Sequence, residues 1–133
     1  MQWYLKAADK GNAEAMYNIG AMYARGLGVE QDYSKSKEWC QKAADLGMVK
    51  AMHSLGFMYY KGIATEQNYQ QAMQWYLKAA HGGSADAMYG IGFMYTTGQG
   101  VSKDILEAIE WFQKAADLGH QPAKDVIKQL RLQ

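Results

Sequence analysis

A phrase of the form Trp-x-x-Lys-Ala-Ala returns along the chain at a fixed interval. Its tryptophans are Trp3, Trp39, Trp75 and Trp111, so successive copies start 36 residues apart (39 − 3, 75 − 39 and 111 − 75). A constant period of this length is the signature of a stacked repeat array, in which each unit buries its apolar face only against its neighbours. The period therefore restricts the chain to a solenoid of similar units.

Each unit contains the pattern of two amphipathic helices. In the stretch between Asn12 and Arg25, the apolar and small residues fall on one helical face at about 100° per residue. These residues are Ala15, Met16, Ile19, Gly20 and Tyr23. Asn12 is expected to cap this helix and Gly26 to end it, whereas Asp32 is expected to cap a second helix that ends at Gly47. The units are therefore helix-turn-helix hairpins.

The predicted fold class is all-α, an αα-solenoid of about three and a half repeats within one domain spanning residues 1–133. We expect a partial repeat, three full repeats and a terminal capping helix, at residues 1–11, 12–47, 48–83, 84–119 and 120–133. The last helix carries Lys124, Lys128 and Arg131 where earlier repeats have Met, Gly and Tyr, as expected of a solubilising cap. The first segment lacks its own first helix, which predicts either more repeats upstream or self-association through this exposed N-terminal helix.

Residues 85–119 read Ala-x-Ala-Met-Tyr-x-Ile-Gly-x-Met-Tyr-x-x-Gly-x-Gly-Val, then Asp, then Ala-x-x-Trp-x-x-Lys-Ala-Ala-x-x-Gly. This order resembles the Sel-one-like repeat family. Residues 13–47 match with Ser36 replacing an alanine, and the middle unit departs at Ala64, Thr65 and Asn68. The resemblance implies a right-handed αα-superhelix related to tetratricopeptide arrays, which serves as an adaptor or scaffold. Members are frequent in bacteria and also occur in endoplasmic-reticulum quality control.

Several small and large residues recur inside the repeat. Gly20, Gly56 and Gly92 lie within helices, where glycine costs up to about 1 kcal/mol relative to alanine, so we expect them to permit close helix packing. The three later tryptophans are predicted to be core aromatics. A row of methionines is predicted to stack one unit on the next; it consists of Met22, Met58 and Met94. Ala64 replaces a turn glycine, and we expect that turn to differ locally or to be looser.

The positions that change between repeats lie on the side of the first helices opposite their apolar face. In αα-solenoids these helices line the concave inner wall, so the changing positions predict a partner-binding surface. This surface comprises Tyr17, Asn18, Ala21, Arg25, His53, Ser54, Phe57, Tyr60, Lys61, Tyr89, Phe93 and Thr97. Phe57, Phe93 and Tyr60 are candidate hot spots, because aromatic residues on a polar face often anchor a partner. The alternative is that tight curvature buries them against neighbouring helices.

Composition argues against most other classes of function. The net charge is +1, which offers no field for nucleic acid, and no apolar run approaches the roughly 20 residues that span a membrane. His53, His81 and His120 show no metal-ligand spacing, and the single cysteine, Cys40, is predicted to be a buried thiol. No metal, cofactor or nucleophile–base pair is predicted, and we expect no enzymatic activity.

The sequence thus predicts a scaffold or adaptor that holds a protein or peptide segment along its concave face. The alternative is an immunity or inhibitor protein that blocks one specific enzyme or toxin. Two weaker alternatives are an enzyme and a mere spacer in a longer chain. The compartment stays open: cytoplasmic if the chain is complete, and periplasmic or secreted if a signal sequence precedes it.

Overall fold

The computed structural model describes residues 1–131, which form eight α-helices and no β-strand. The helices are α1 Gln2–Asp9, α2 Ala13–Arg25, α3 Tyr33–Asp45, α4 Val49–Lys61, α5 Tyr69–His81, α6 Ala85–Thr97, α7 Ile105–Asp117 and α8 Gln121–Arg131. The last two residues of the predicted capping helix, 132 and 133, lie outside the described part. The predicted all-α fold class is confirmed.

Consecutive helices pair into hairpins that stack in chain order. The hairpins α2–α3, α4–α5 and α6–α7 have the most extensive helix–helix contacts, and each second helix also contacts the first helix of the next unit. Helices α4 and α6 touch each other directly across adjacent hairpins. Chain order therefore equals spatial order, which is the arrangement of an αα-solenoid.

Polar caps and left-handed glycines set the helix ends. Asn12 Oδ1 accepts a hydrogen bond from Ala15 N at 2.9 Å, and Asp32 Oδ1 accepts one from Lys35 N at 3.1 Å. Gly26 ends α2 with φ +69°. Each cap satisfies a backbone group that has no partner within the helix, so these residues determine where the helices begin and end.

The turn that contains Ala64 differs from expectation. Ala64 adopts φ +61°, beside +74° for Gly28 and +73° for Gly100 at the matching positions of the other turns. The prediction of a locally different turn was wrong. The repeat packing holds the same turn in place, although an alanine in this conformation costs on the order of 1 kcal/mol.

The glycines inside the first helices allow the hairpin partners to approach closely. A Cβ atom at Gly56 would lie 2.6 Å from Tyr76 Cδ1, and one at Gly92 would lie 2.6 Å from Phe112 Cε1. Both distances are shorter than any carbon–carbon contact allows. The aromatic ring of the second helix therefore rests directly on the backbone of the first.

The three later tryptophans are less buried than predicted. Trp39, Trp75 and Trp111 are only partly buried. Each packs against the core between the last helix of the preceding unit and the first helix of its own unit. A lysine one turn further along covers each ring, with Nζ 4.3 to 4.4 Å from the ring centroid. The fully buried position is the next residue, which is Cys40, Tyr76 or Phe112 at 4%, 4% and 2% exposure. The tryptophans therefore join units at the edge of the core.

The methionines lie near the expected place. Met94 is fully buried and Met58 is 7% exposed, whereas Met22 is only partly buried. Met94 belongs to the core of α5 and α6, against which Tyr59 of α4 also packs. At the C-terminal end, Lys124 and Lys128 are exposed, as a polar cap requires.

Candidate functional site

A cleft of about 460 Å³ opens between α4 and α6, on the first helices. His53 and Phe57 lie one turn apart on α4, and Asp86, Tyr89 and Phe93 follow one face of α6 at spacings of three and four residues. Together with Tyr60, Tyr76 and Gly90 they line the cleft. The wall is predominantly aromatic and carries one carboxylate.

The floor of this cleft is Tyr76, which reaches it from α5. Its ring is 4% exposed and stacks on the imidazole of His53, with 5.7 Å between centroids and 29° between the planes. Burial, with a smaller contribution from Tyr60, raises the pKa of the Tyr76 phenol. Tyr76 therefore keeps its proton at physiological pH and presents a neutral phenol to the cleft.

Gly90 provides the opening above this floor. A Cβ atom at Gly90 would lie 3.1 Å from Tyr76 Cε2 and 3.2 Å from Tyr76 Cζ. Repeats one and two have Asn18 and Ser54 at the matching position. Because position 90 has no side chain, Tyr76 can line the cleft.

A second, more polar cleft of about 750 Å³ shares His53 and Asp86 with the first. It is lined by Tyr17, Val49, Lys50, His53, Gly82, Gly83, Ser84, Ala85, Asp86, Leu118, Gly119 and His120. It lies beside the first residues of α4 and α6, where the turns from the preceding helices arrive. The two clefts form one continuous groove along the α4–α6 junction.

His120, which precedes α8, and Asp86 of α6 form a polar side-chain contact that lines this groove. His120 Nε2 lies 2.9 Å from Asp86 Oδ1, and His120 Nδ1 accepts a hydrogen bond from Ala123 N at 3.2 Å. Because Nδ1 is an acceptor, the neutral ring carries its proton on Nε2 and donates it to Asp86. Asp86 is thus held in place although its side chain is 68% exposed.

The two phenylalanines keep a large part of their surface in solvent. Phe57 is 43% exposed and Phe93 is 42% exposed. Phe93 is supported from below by Phe112, edge to face at 6.3 Å between centroids, and from its own helix by Tyr89 at 5.4 Å. Neighbouring first helices therefore do not bury the two rings.

Tyr60 ties this groove to the following turn. Its hydroxyl donates to Gln99 Oε1 at 2.7 Å, while Gln99 Nε2 donates to Tyr69 Oη at 3.2 Å. Thr97 Oγ1 lies 2.8 Å from the same Gln99 oxygen. The side chains of Tyr60 and Thr97 are thus engaged within the protein, although the Tyr60 ring still lines the cleft.

The other predicted site residues lie apart from this cleft. Tyr17 lines the polar cleft, whereas Asn18, Ala21 and Arg25 follow it along α2 and line neither cleft. Ser54 and Lys61 of α4 are likewise absent from both linings. Of the predicted set, the structure brings together His53, Phe57, Tyr60, Tyr89 and Phe93.

The lining residues outside the predicted site include Tyr76, Asp86, Gly90 and His120. Asp86 and Gly90 occupy positions that change between repeats, so the comparison of repeats contained a signal for both. Tyr76 follows the tryptophan at the repeat position of Cys40, for which the sequence predicted burial and no role in the site. The contact of His120 with Asp86 joins residues 34 positions apart and has no local sequence signal.

Residues 1–131 contain no group of three or more His, Cys, Asp or Glu side chains placed to hold a metal ion. In the same part of the chain, no helix is both long and apolar enough to cross a membrane. Cys40 is buried, and that burial raises the pKa of its thiol to about 11, with Ser36 acting weakly in the opposite direction. The predicted buried thiol is confirmed.

Comparison with known families decides the assignment. The model of the Sel1 repeat matches residues 1–12, 13–48, 49–84 and 85–120, which cover most of the chain. The chain belongs to the Sel1 repeat family. This confirms the resemblance that the repeat phrase indicated. A comparison with curated protein sequences gave no match.

Solved Sel1 repeat structures share this architecture. The Sel1 repeat protein from Oxalobacter formigenes is 37% identical with a TM-score of 0.89, over 95% of this chain and 52% of that one. A protective antigen present in uropathogenic Escherichia coli strains is 36% identical with a TM-score of 0.87, over 90% and 26% of the two chains. Helicobacter pylori cysteine rich protein B is 25% identical with a TM-score of 0.72, over 94% and 90%.

This Sel1 repeat chain is short beside the first two of these relatives. It spans about half the length of the Oxalobacter formigenes protein and about a quarter of the Escherichia coli antigen. Membership of the family suggests a role in protein–protein interaction.

Proposed function

We propose that this Sel1 repeat chain is a protein-interaction module that holds an extended segment of a partner protein in the groove between α4 and α6. The observation that carries the proposal is the pair of exposed phenylalanines, Phe57 and Phe93, in one cleft. Such rings are costly to leave in water, and aromatic residues seated in a pocket are typical interface hot spots.

The free energy gained by covering the two phenylalanine rings is large enough to contribute to recognition. If a phenylalanine contributes about 200 Å² in the extended chain, the exposed parts of the two rings together offer on the order of 170 Å². At about 25 cal/mol per Å², covering them gives roughly 4 kcal/mol before the costs of association. This contribution supports a modest anchor, and the remaining affinity has to come from the rest of the groove.

The rigid support of the site also favours binding. Phe93 rests on Phe112, whose ring is fixed against the backbone of Gly92. A partner therefore meets side chains that are already positioned, which lowers the entropic cost of association. Three of its polar side chains are already hydrogen-bonded within the protein, since Asp86 pairs with His120 and Tyr60 pairs with Gln99. This favours the assignment of the groove to binding rather than catalysis.

Site-directed photo-crosslinking tests this proposal. A photoreactive phenylalanine analogue is placed at Phe93, or at Leu106 on α7, which is 77% exposed, and each protein is irradiated in lysate of the source organism. We expect one discrete protein adduct from position 93 and none of the same mass from position 106. The Phe57→Ala variant, with the crosslinker kept at 93, should weaken the adduct while the melting temperature stays close to that of its parent.

Adducts of equal yield from both positions, or no adduct from position 93, would overturn the assignment to this groove. The nature of the captured protein then separates the two predicted roles. An adaptor leaves the activity of its partner intact. An immunity or inhibitor protein abolishes the activity of one enzyme or toxin at equal molar amounts, and that result would replace the adaptor role with the alternative.

A further inference from the structure

The aromatic cleft has the composition of a cation-binding site. Five aromatic rings line it, those of Phe57, Tyr60, Tyr76, Tyr89 and Phe93. The face of an aromatic ring carries partial negative charge and attracts an ammonium or guanidinium group within about 6 Å of its centroid. Several rings around one space add such attractions while they also cover the apolar stem of the incoming side chain.

The preceding junction, between α2 and α4, lacks this composition. Counting back 36 residues, Ala21 stands for Phe57, Ala24 for Tyr60 and Cys40 for Tyr76. The opening differs as well, because Ser54 occupies the position of Gly90. The aromatic wall is therefore a property of one junction and not of the repeat.

The charge of the lining residues also differs between the α4–α6 junction and the preceding one. Asp86 is the one carboxylate in the lining of the aromatic cleft, and Lys50 holds the matching position one repeat earlier. His120 fixes Asp86 through Oδ1, and the side chain remains 68% exposed. Burial lowers the pKa of His53, so its ring is uncharged at neutral pH and does not offset the carboxylate. Lys50 lines the adjoining polar cleft and not the aromatic one, so within residues 1–131 Asp86 is the only charged side chain of the aromatic lining and favours a cation there.

We propose that the cleft lined by Phe57, Tyr76, Phe93 and Asp86 is a subsite for a basic side chain, arginine or lysine, of the bound segment. This inference rests on the proposed function, since it names the chemistry that the same groove selects. The rings cover the aliphatic stem and the face of the cation, Gly90 gives access to Tyr76, and Asp86 pairs with the charge at the rim.

Three short acetylated and amidated peptides that differ only at a central residue test the inference. The residue is arginine, citrulline as its uncharged match in shape, or leucine, and binding is followed by amide NMR titration. We expect the arginine peptide to shift the Gly90 amide and to bind about fivefold more tightly than the citrulline peptide. Asp86→Asn should reduce this difference, and the part that remains reports the attraction of the ring faces for the cation. Glu14→Gln, which alters the matching carboxylate two repeats earlier, should keep the full difference.

The substitution Gly90→Ser tests whether the basic side chain needs the open position above Tyr76. Serine is the residue of the preceding repeat at this position. The substitution should weaken the arginine peptide by about tenfold, whereas Asn18→Ser at the matching position of α2 should leave it unchanged. Equal binding of arginine and citrulline, or a preference for leucine in the same cleft, would overturn the inference and leave the proposed function standing. Absence of all peptide binding would overturn the inference too, and the crosslinking result at Phe93 then decides whether the proposed function falls with it.

Discussion

His53 occupies a place where the other two repeats have tyrosine, Tyr17 and Tyr89. Its imidazole stacks on Tyr76, and burial is the main cause that lowers its pKa, with Asp86 opposing and His120 adding to the shift. The groups that face it are therefore Tyr76 from α5, Asp86 from α6, His120 before α8 and Lys50 from its own helix. The lowered pKa of His53 predicts that acidification destabilises the folded protein at this position.

We expect the substitution His53→Tyr to reduce the loss of stability on acidification. In the unfolded chain His53 has its ordinary pKa of about 6.5, whereas in the folded protein the value is lower. As the pH falls through 6.5, the unfolded state binds the proton first, so the free energy of unfolding decreases until the folded pKa is reached. Melting temperatures measured from pH 8 to pH 5 check this.

The control for this prediction is His81→Gln, because His81 is exposed at the end of α5. That variant should follow the wild-type dependence on pH. A His53→Tyr variant with an unchanged pH profile would show that His53 does not contribute to the acid response.

At the scale of the helical hairpin, stability depends on which atoms of the second helix contact the glycine of the first helix. A Cβ atom at Gly56 or Gly92 would meet the ring of Tyr76 or Phe112 at 2.6 Å. At Gly20 it would meet Cys40 Sγ and the Ser36 backbone oxygen, each at 3.1 Å. Replacing a helical glycine with alanine gains up to about 1 kcal/mol of helix propensity, which opposes any clash. The three hairpins should therefore respond differently to one substitution.

Gly56→Ala and Gly92→Ala should each lower the free energy of unfolding by about 1 to 3 kcal/mol, because the new methyl group overpacks an aromatic ring. Gly20→Ala should be within about 1 kcal/mol of the wild type, since propensity offsets the milder contact. Urea unfolding measures all three. As a matched control, Cys40→Tyr should make Gly20→Ala as costly as the other two. If the three glycine-to-alanine variants lost equal stability while Cys40 was unchanged, the explanation by contact with an aromatic ring would be contradicted.

The packing of the helical hairpins also shows which features can be predicted from a sequence. The spacing of the glycines predicted a close approach, because an identical unfavourable residue in every unit requires a shared packing reason. The tryptophans were predicted to be core aromatics, although it is the following residue that is buried. Trp75 and Tyr76 point in directions about 100° apart on one helix, and only the rotation of α5 against α4 decides which of them enters the hairpin. That rotation is a tertiary property.

At the scale of the whole molecule, each hairpin is held only by its neighbours. Helices α1 and α8 lie at the two ends and pack on one side, and Trp3 of α1 is 75% exposed where Trp39, Trp75 and Trp111 each have a preceding core. Self-association through this end stays a prediction. The pairing of Asp86 with His120 likewise depends on the stacking of one unit on the next, which is why it could not be predicted from local patterns.

Hydrogen exchange should therefore be graded along the solenoid. We expect the slowest amide exchange in α4, α5 and α6, which are packed on both sides, and the fastest in α1 and α8, because an array held by nearest neighbours opens from its ends. Exchange followed by mass spectrometry of peptic fragments resolves the helices. A uniform rate in every helix would mean that the solenoid opens only as a whole.

The bridge from Tyr60 through Gln99 to Tyr69 connects the turn after α6 to the two helices of the unit before it. The preceding junction has Ala24 and Ile63 in place of Tyr60 and Gln99 and cannot form this bridge. The α4–α6 junction thus carries a side-chain bridge that the α2–α4 junction lacks. We expect a bound segment to find a groove of more constant width between α4 and α6 than between α2 and α4.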